Sequence, residues 1–154
     1  MLGKDKRVRI VTYVDRRSGY LVAFLLPKMN AELLTKLSIQ KFKYIPNYKK
    51  HSITFDNGVE FSDWEMLEIK SNMTVYFAYP YHSWERGTNE NTNGLIRQYF
   101  PKKHDFNLIK KEELDYVVMK LNDRPRKRLG FKTPKDIFIR GLQLEGECRA
   151  LRVV

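Results

Sequence analysis

Residues 8–14, VRIVTYV, alternate apolar and polar positions and are rich in β-branched side chains, the pattern of a strand. Residues 16–19 (Arg-Arg-Ser-Gly) form a turn signal, and residues 20–26, YLVAFLL, are a continuous apolar run stopped by Pro27. A run of that length suits a strand buried on both faces, so the pair predicts an antiparallel hairpin. Asn30 can cap a helix through about residue 42, with Leu33, Leu34 and Leu37 on its inner side. Residues 44–50, broken by Pro46, read as a connection. SITF at 52–55 is a short strand ending on the turn signal Asp56-Asn57-Gly58. Ser62 and Glu65 make a capping box that opens a helix to about Lys70. TVYFA at 74–78 is a further strand, ended by Pro80. The polar stretch at 81–91 leads into a helix containing Leu95, Ile96 and Tyr99, closed by Pro101. Leu114, Val117, Val118 and Leu121 recur at helical spacing within 111–122. A basic loop at 124–128 and a short helix after Thr133-Pro134 complete the order.

Strand, strand, helix, strand, helix, strand, helix, helix describes an α/β domain with a mixed sheet. In such folds functional residues stand at the carboxyl ends of parallel strands, and Asp56 occupies such an end. The 154 residues suffice for one domain with a core, and a 42% hydrophobic content with 13% aromatics excludes a disordered chain. Residues 1–140 read as that core and 141–154 as a C-terminal tail. The formal charge of +11 changes the picture more, since an excess of that size favours a polyanionic partner. It is uneven: residues 1–96 carry 14 basic and 10 acidic side chains, and residues 97–140 carry 13 and 6. The second segment is therefore the stronger candidate for a nucleic-acid face, with a solvated lysine-rich surface as the other reading. Cys148 alone excludes a disulfide framework and a cysteine zinc site, and fits a reducing compartment. No apolar run reaches membrane-spanning length, and the first nine residues hold no apolar stretch for a signal peptide. A soluble cytoplasmic protein without membrane contact is the expectation.

Two carboxylates stand out. Asp56, at a strand end, is well placed for a divalent cation, or merely starts an Asp-Asn-Gly turn. Glu90 opens a helix, where a carboxylate either serves a metal or answers the helix dipole. Glu90, Gly94 and Arg97 fall on one helical face at i, i+4 and i+7, with Asn89, Asn91 and Asn93 around the same turn. A carboxylate, a glycine that permits close approach and an arginine make an odd face for a core helix and a sensible one for a phosphodiester. His51, His82 and His104 show no ligand spacing. Arg124, Arg126, Lys127 and Arg128 form a candidate phosphate patch that Lys102 and Lys103 extend; an exposed basic loop without a partner is the other reading. Trp84 either stacks on a base or pins the polar loop.

The segments ITFDNGVEF (53–61), YFAYPYHSWERGTNENTNGLIRQYFPK (76–102) and LNDRPRKRLGFKTPKDIF (121–138) together resemble the IS30 family of insertion-sequence transposases, within the DDE transposases and retroviral-type integrases. The resemblance covers nearly the whole chain and implies a ribonuclease H-like fold, a mixed sheet flanked by helices. It places the family's second acidic ligand at Asp56 and its third at Glu90, with 33 residues between them, and its following basic residue at Arg97. It implies Mg²⁺, with Mn²⁺ as a substitute, double-stranded DNA as substrate, and a bacterial, nucleoid-associated location. Two such ions about 3.5–4 Å apart activate the attacking oxygen and stabilise the leaving one, and hard cations take oxygen ligands.

The family's first aspartate belongs to a Trp-Glu-x-Asp-Thr context on the first strand, which would fall upstream of Met1. Neither Asp5 nor Asp15 matches that motif, and Glu85 lies outside the motif match. The expectation is a catalytic-core fragment missing its first strand, inactive alone, with an exposed strand edge that favours self-association or pairing with full-length transposase. The alternatives are a non-catalytic DNA-binding fragment and a ribonuclease H-type nuclease.

Overall fold

Both faces of the N-terminal hairpin are buried, and this organises the molecule. In the computed structural model, which describes residues 1–3, 7–55, 63–78 and 87–141, β1 (Arg9–Val14) and β2 (Leu21–Leu26) pair antiparallel, with Arg9 opposite Leu26 and Val14 opposite Leu21. Because side chains alternate across a strand, Ile10, Val14, Leu21 and Ala23 point to one face. There they meet Ile96, Phe100, Phe106, Leu114, Val117 and Leu121. Tyr13, Phe24 and Leu26 point to the other and meet Leu34, Phe42, Ile45, Ile53, Phe55 and Phe138. The seven-residue apolar run is thus accounted for by two cores. Each fully buried aliphatic or aromatic side chain contributes about 1.5–3 kcal/mol.

The first core is closed by α3 (Gly87–Arg97) and α4 (Lys111–Asn122). The second is closed by α1 (Ala31–Phe42), α2 (Trp64–Ser71) and the parallel pair β3 (Ser52–Phe55) and β4 (Thr74–Phe77). Asn30 caps α1, its side chain accepting from Leu33 N at 2.8 Å. α2 ends on Asn72 in the left-handed conformation (φ 57°), where Asn is tolerated. The capping box predicted at Ser62 lies outside the described residues, and the described helix begins at Trp64. A short helix, α5 (Pro134–Phe138), carries the capping box of Thr133 and Asp136.

Two local differences from the sequence pattern are informative. The mixed sheet occurs as two separate pairs, β1–β2 and β3–β4, with no ladder joining β1 to β3 among the described residues. Side chains join the two pairs: the rings of Tyr13 and Phe55 lie 6.2 Å apart, edge to face. The outer edge of β1 is met at its start by a bridge between Leu2 and Arg9, by Ile10 N donating to Met1 O (3.1 Å) and by the Met1 ammonium donating to Ile10 O (2.7 Å). α3 also begins earlier than its polar sequence suggests, at Gly87. No helix among the described residues is long and apolar enough to cross a membrane.

Candidate functional site

Gly-Thr-Asn-Glu-Asn-Thr-Asn is a poor helix-forming sequence, so α3 depends on tertiary contacts. Thr92 and Ile96 are completely buried. On the side facing the hairpin, Thr12 Oγ1 on β1 lies 3.1 Å from both Asn89 Oδ1 and Asn93 Oδ1. A hydroxyl has one proton, so Thr12 donates to one amide and accepts from the other once that amide is turned over. This pair of bonds fixes the rotation of α3 on β1. Glu90, one position from Asn89, is exposed in the first turn. Gly94, one turn on, is also exposed, and a Cβ built there meets nothing within 4 Å. Glu90 and Gly94 thus share an open face that a ligand can approach.

Arg97 is placed differently. Its Nη2 donates to Leu2 O at 2.7 Å, and its guanidinium lies over the Phe106 ring at 5.3 Å. Partial burial lowers its pKa from the usual arginine value. Leu2 in turn bridges Arg9, and Gly3 packs so closely on Phe106 that a Cβ would sit 2.7 Å from Cγ of that ring. Arg97 thus spends Nη2 on the N-terminal segment and directs Nη1 at Phe100 O (3.5 Å), which leaves only part of its donor set for phosphate.

Asp56 lies outside the described residues, as do Trp84, Glu85 and His82; β3, which leads to Asp56, ends in the buried Phe55. Asp15 is buried and closes the hairpin turn, its Oδ2 accepting from Ser18 N at 2.7 Å and from the Ser18 hydroxyl. Among the described residues no group of three or more His, Cys, Asp or Glu side chains could hold a metal. The exposed oxygen donor of Glu90 fits a hard divalent cation in kind, as one ligand of a set.

The basic residues divide into two groups. Lys102 and Lys103 are exposed just beyond α3. Arg124, Lys127 and Arg128 are exposed on the loop after α4, whereas Arg126 is half-buried there. Arg128 Nη1 donates to Arg17 O at 3.0 Å, an attachment to the hairpin turn with no signal in the sequence. Thr12, Asn89 and Asn93 were equally hidden as a group, since their positions are far apart along the chain.

No protein-family model matches the chain. It is 43% identical over 144 residues to the transposase InsI of insertion sequence element IS30C from Escherichia coli K12, a match covering 94% of this chain and 38% of that protein. It is 42% identical over 138 residues to the transposase of insertion sequence element IS4351 from Bacteroides fragilis, covering 90% of this chain and 42% of the relative. The chain therefore spans about two fifths of the length of these curated relatives. Among solved structures, the catalytic core domain of BIV integrase superposes with a TM-score of 0.67 at 20% identity, covering 90% of each chain. Over nearly its whole length this chain is similar to part of these insertion-sequence transposases, and its fold is the ribonuclease H-like fold of integrase catalytic cores.

Proposed function

We propose that the chain is catalytic-core sequence for DNA transposition, in which Asp56 and Glu90 are carboxylate ligands for Mg²⁺ or Mn²⁺ during phosphodiester cleavage and strand transfer. The observation that carries this reading is Glu90, exposed on the open face of a helix that Thr12 pins through Asn89 and Asn93. When bound, divalent ions would activate the attacking oxygen and stabilise the leaving one. The chain's own part is to present carboxylate oxygens from a fixed helix, leave room beside Gly94 for the backbone of double-stranded DNA, and hold phosphates with cations. Lys102, Lys103, Arg124, Arg126, Lys127 and Arg128 supply those cations, together with the uncommitted donors of Arg97. Such contacts give salt-dependent affinity with little sequence choice. Residues 1–140 act as the core and 141–154 as a tail, and DNA binding would place the protein with the bacterial nucleoid.

Two carboxylates hold a pair of dications poorly, so the chain by itself is expected not to cut DNA. It would work by self-association or with full-length transposase. The exposed basic residues Lys102, Lys103, Arg124, Lys127 and Arg128 favour, as a second reading, a DNA-binding fragment without catalysis. Titrating Mn²⁺ while following paramagnetic line broadening separates the two. Broadening centred on Glu90 and lost in Glu90→Gln supports a metal-binding core, and unbroadened signals around α3 overturn it. Incubating the chain with Mg²⁺ or Mn²⁺ and an element-end duplex tests inactivity; nicking that disappears in Glu90→Gln would sink that part of the proposal.

A further inference from the structure

The turn between β1 and β2 is closed from within. Asp15 Oδ2 is occupied by Ser18, Gly19 N donates to Asp15 O at 2.7 Å, and Asp15 N donates to Tyr20 O at 2.9 Å. Gly19 is buried and left-handed, with φ +70°. A Cβ built on it would lie 2.5 Å from Arg126 Nη1 and 2.6 Å from Arg128 Nη2. Two guanidinium groups therefore converge on one Cα, and those two nitrogens can be no farther apart than the sum of these distances. The loop that carries them is itself closed: Arg126 N donates to Lys132 O and Phe131 N to Arg126 O, each at 3.1 Å, around the 3₁₀ turn Lys127–Leu129. With Arg128 Nη1 bonded to Arg17 O, loop and turn form one platform.

Like charges held this close repel, and nothing described between them compensates. Burial, with Arg128 and Arg124 nearby, lowers the pKa of Arg126 from the usual arginine value. Arg126 Nη2 is buried without a hydrogen-bond partner among the described residues. Of the carboxylates nearest in sequence, Asp123 pairs with Lys135 at 3.2 Å, and Asp15, held by Ser18 through Oδ2 with its Oδ1 buried and without a hydrogen-bond partner, makes no ion pair with either arginine among the described residues. A tetrahedral oxyanion that accepts from both guanidinium groups removes that repulsion, and the planar fork of arginine suits phosphate.

The geometry points to a seat for a single phosphate group, held jointly by Arg126 and Arg128 above the Gly19 turn. Resting on the DNA-binding reading above, it takes one backbone phosphate of a duplex. It narrows that reading, because a diffuse basic patch becomes two arginines acting on one charge, with Arg124 and Lys127 outside the pair.

Duplex binding in EDTA, without any metal, is measured against salt for the unaltered chain, Arg126→Gln, Arg128→Gln, the double variant and Arg124→Gln. Because the salt slope counts phosphates neutralised, the double variant is expected to lower it by about one, as either single variant does. The double variant should also lose less affinity than the two single losses combined. A fall of about two with fully additive losses, or no change, overturns the shared seat. Gly19→Ala, which forces the guanidinium groups apart, should reproduce the loss; if it does not fold, the glutamine variants carry the test. A second arm titrates inorganic phosphate while following the Nε–H signals of Arg126 and Arg128. Saturable shifts at both, absent from the double variant, support the seat, and unmoved signals overturn it. Saturable phosphate binding without duplex binding would support the seat and overturn the DNA-binding reading; metal-dependent cleavage is not consulted in either arm.

Discussion

At the scale of single residues, Arg97 shows how a side chain can match a motif and still have a structural duty. Its helical spacing from Glu90 is visible in the sequence. Its bond to Leu2 O is not, because 95 residues separate the partners. A charge-assisted hydrogen bond is worth about 1.5–3 kcal/mol. Arg97→Ala is therefore expected to loosen the segment ending at Gly3 and to speed exchange of the Ile10 amide, which donates to Met1 O, by about tenfold or more. Hydrogen exchange read residue by residue checks this. An unchanged Ile10 rate with weakened DNA binding would assign Arg97 to phosphate alone. Arg97→Lys should restore little, since an ammonium lacks the fork and stacks poorly on Phe106.

At the scale of elements, legibility followed local chemistry. The hairpin, α1 and α4 were readable because their apolar periods and caps lie within a few residues of one another. The early part of α3 was not, because its helix is held by burial of Thr92 and by the bonds from Thr12 rather than by intrinsic propensity. The end of α4 has a similarly hidden attachment. Asn122 Nδ2 donates to Leu21 O, and its Oδ1 accepts from Leu21 N, each at 2.8 Å. The side chain thus satisfies the start of β2 as a neighbouring strand would. Asn122→Ala leaves two buried backbone groups unpaired and is expected to destabilise the fold by about 2 kcal/mol or more. Chemical denaturation measures it, and an unchanged midpoint would mean that water replaces the amide.

At the scale of the whole molecule, charge and strand edges govern association. The basic residues of 97–140 separate in space: Arg97 turns to the N-terminal segment, Arg126 and Arg128 to the hairpin turn, and Lys102 and Lys103 to solvent. Among the described residues the outer edge of β1 is bridged only at its start, so Thr12 and Val14, whose backbone groups point to the same side as those of Ile10, have no ladder partner there. Concentration-dependent association is expected, and sedimentation velocity over a hundredfold concentration range tests it. A single monomeric species throughout would show that the edge is protected.

The sequence by itself determined the element order, the hairpin with its second strand buried on both faces, the family resemblance and the basic character of 97–140. Each of these is written in local periodicity, composition or a contiguous motif. Only the tertiary structure decided which polar groups meet: Thr12 with the α3 asparagines, Arg97 with Leu2, and Arg126 with Arg128 above Gly19. Those meetings join positions up to about a hundred residues apart. They follow from how two cores stack on the hairpin, and no local pattern encodes them.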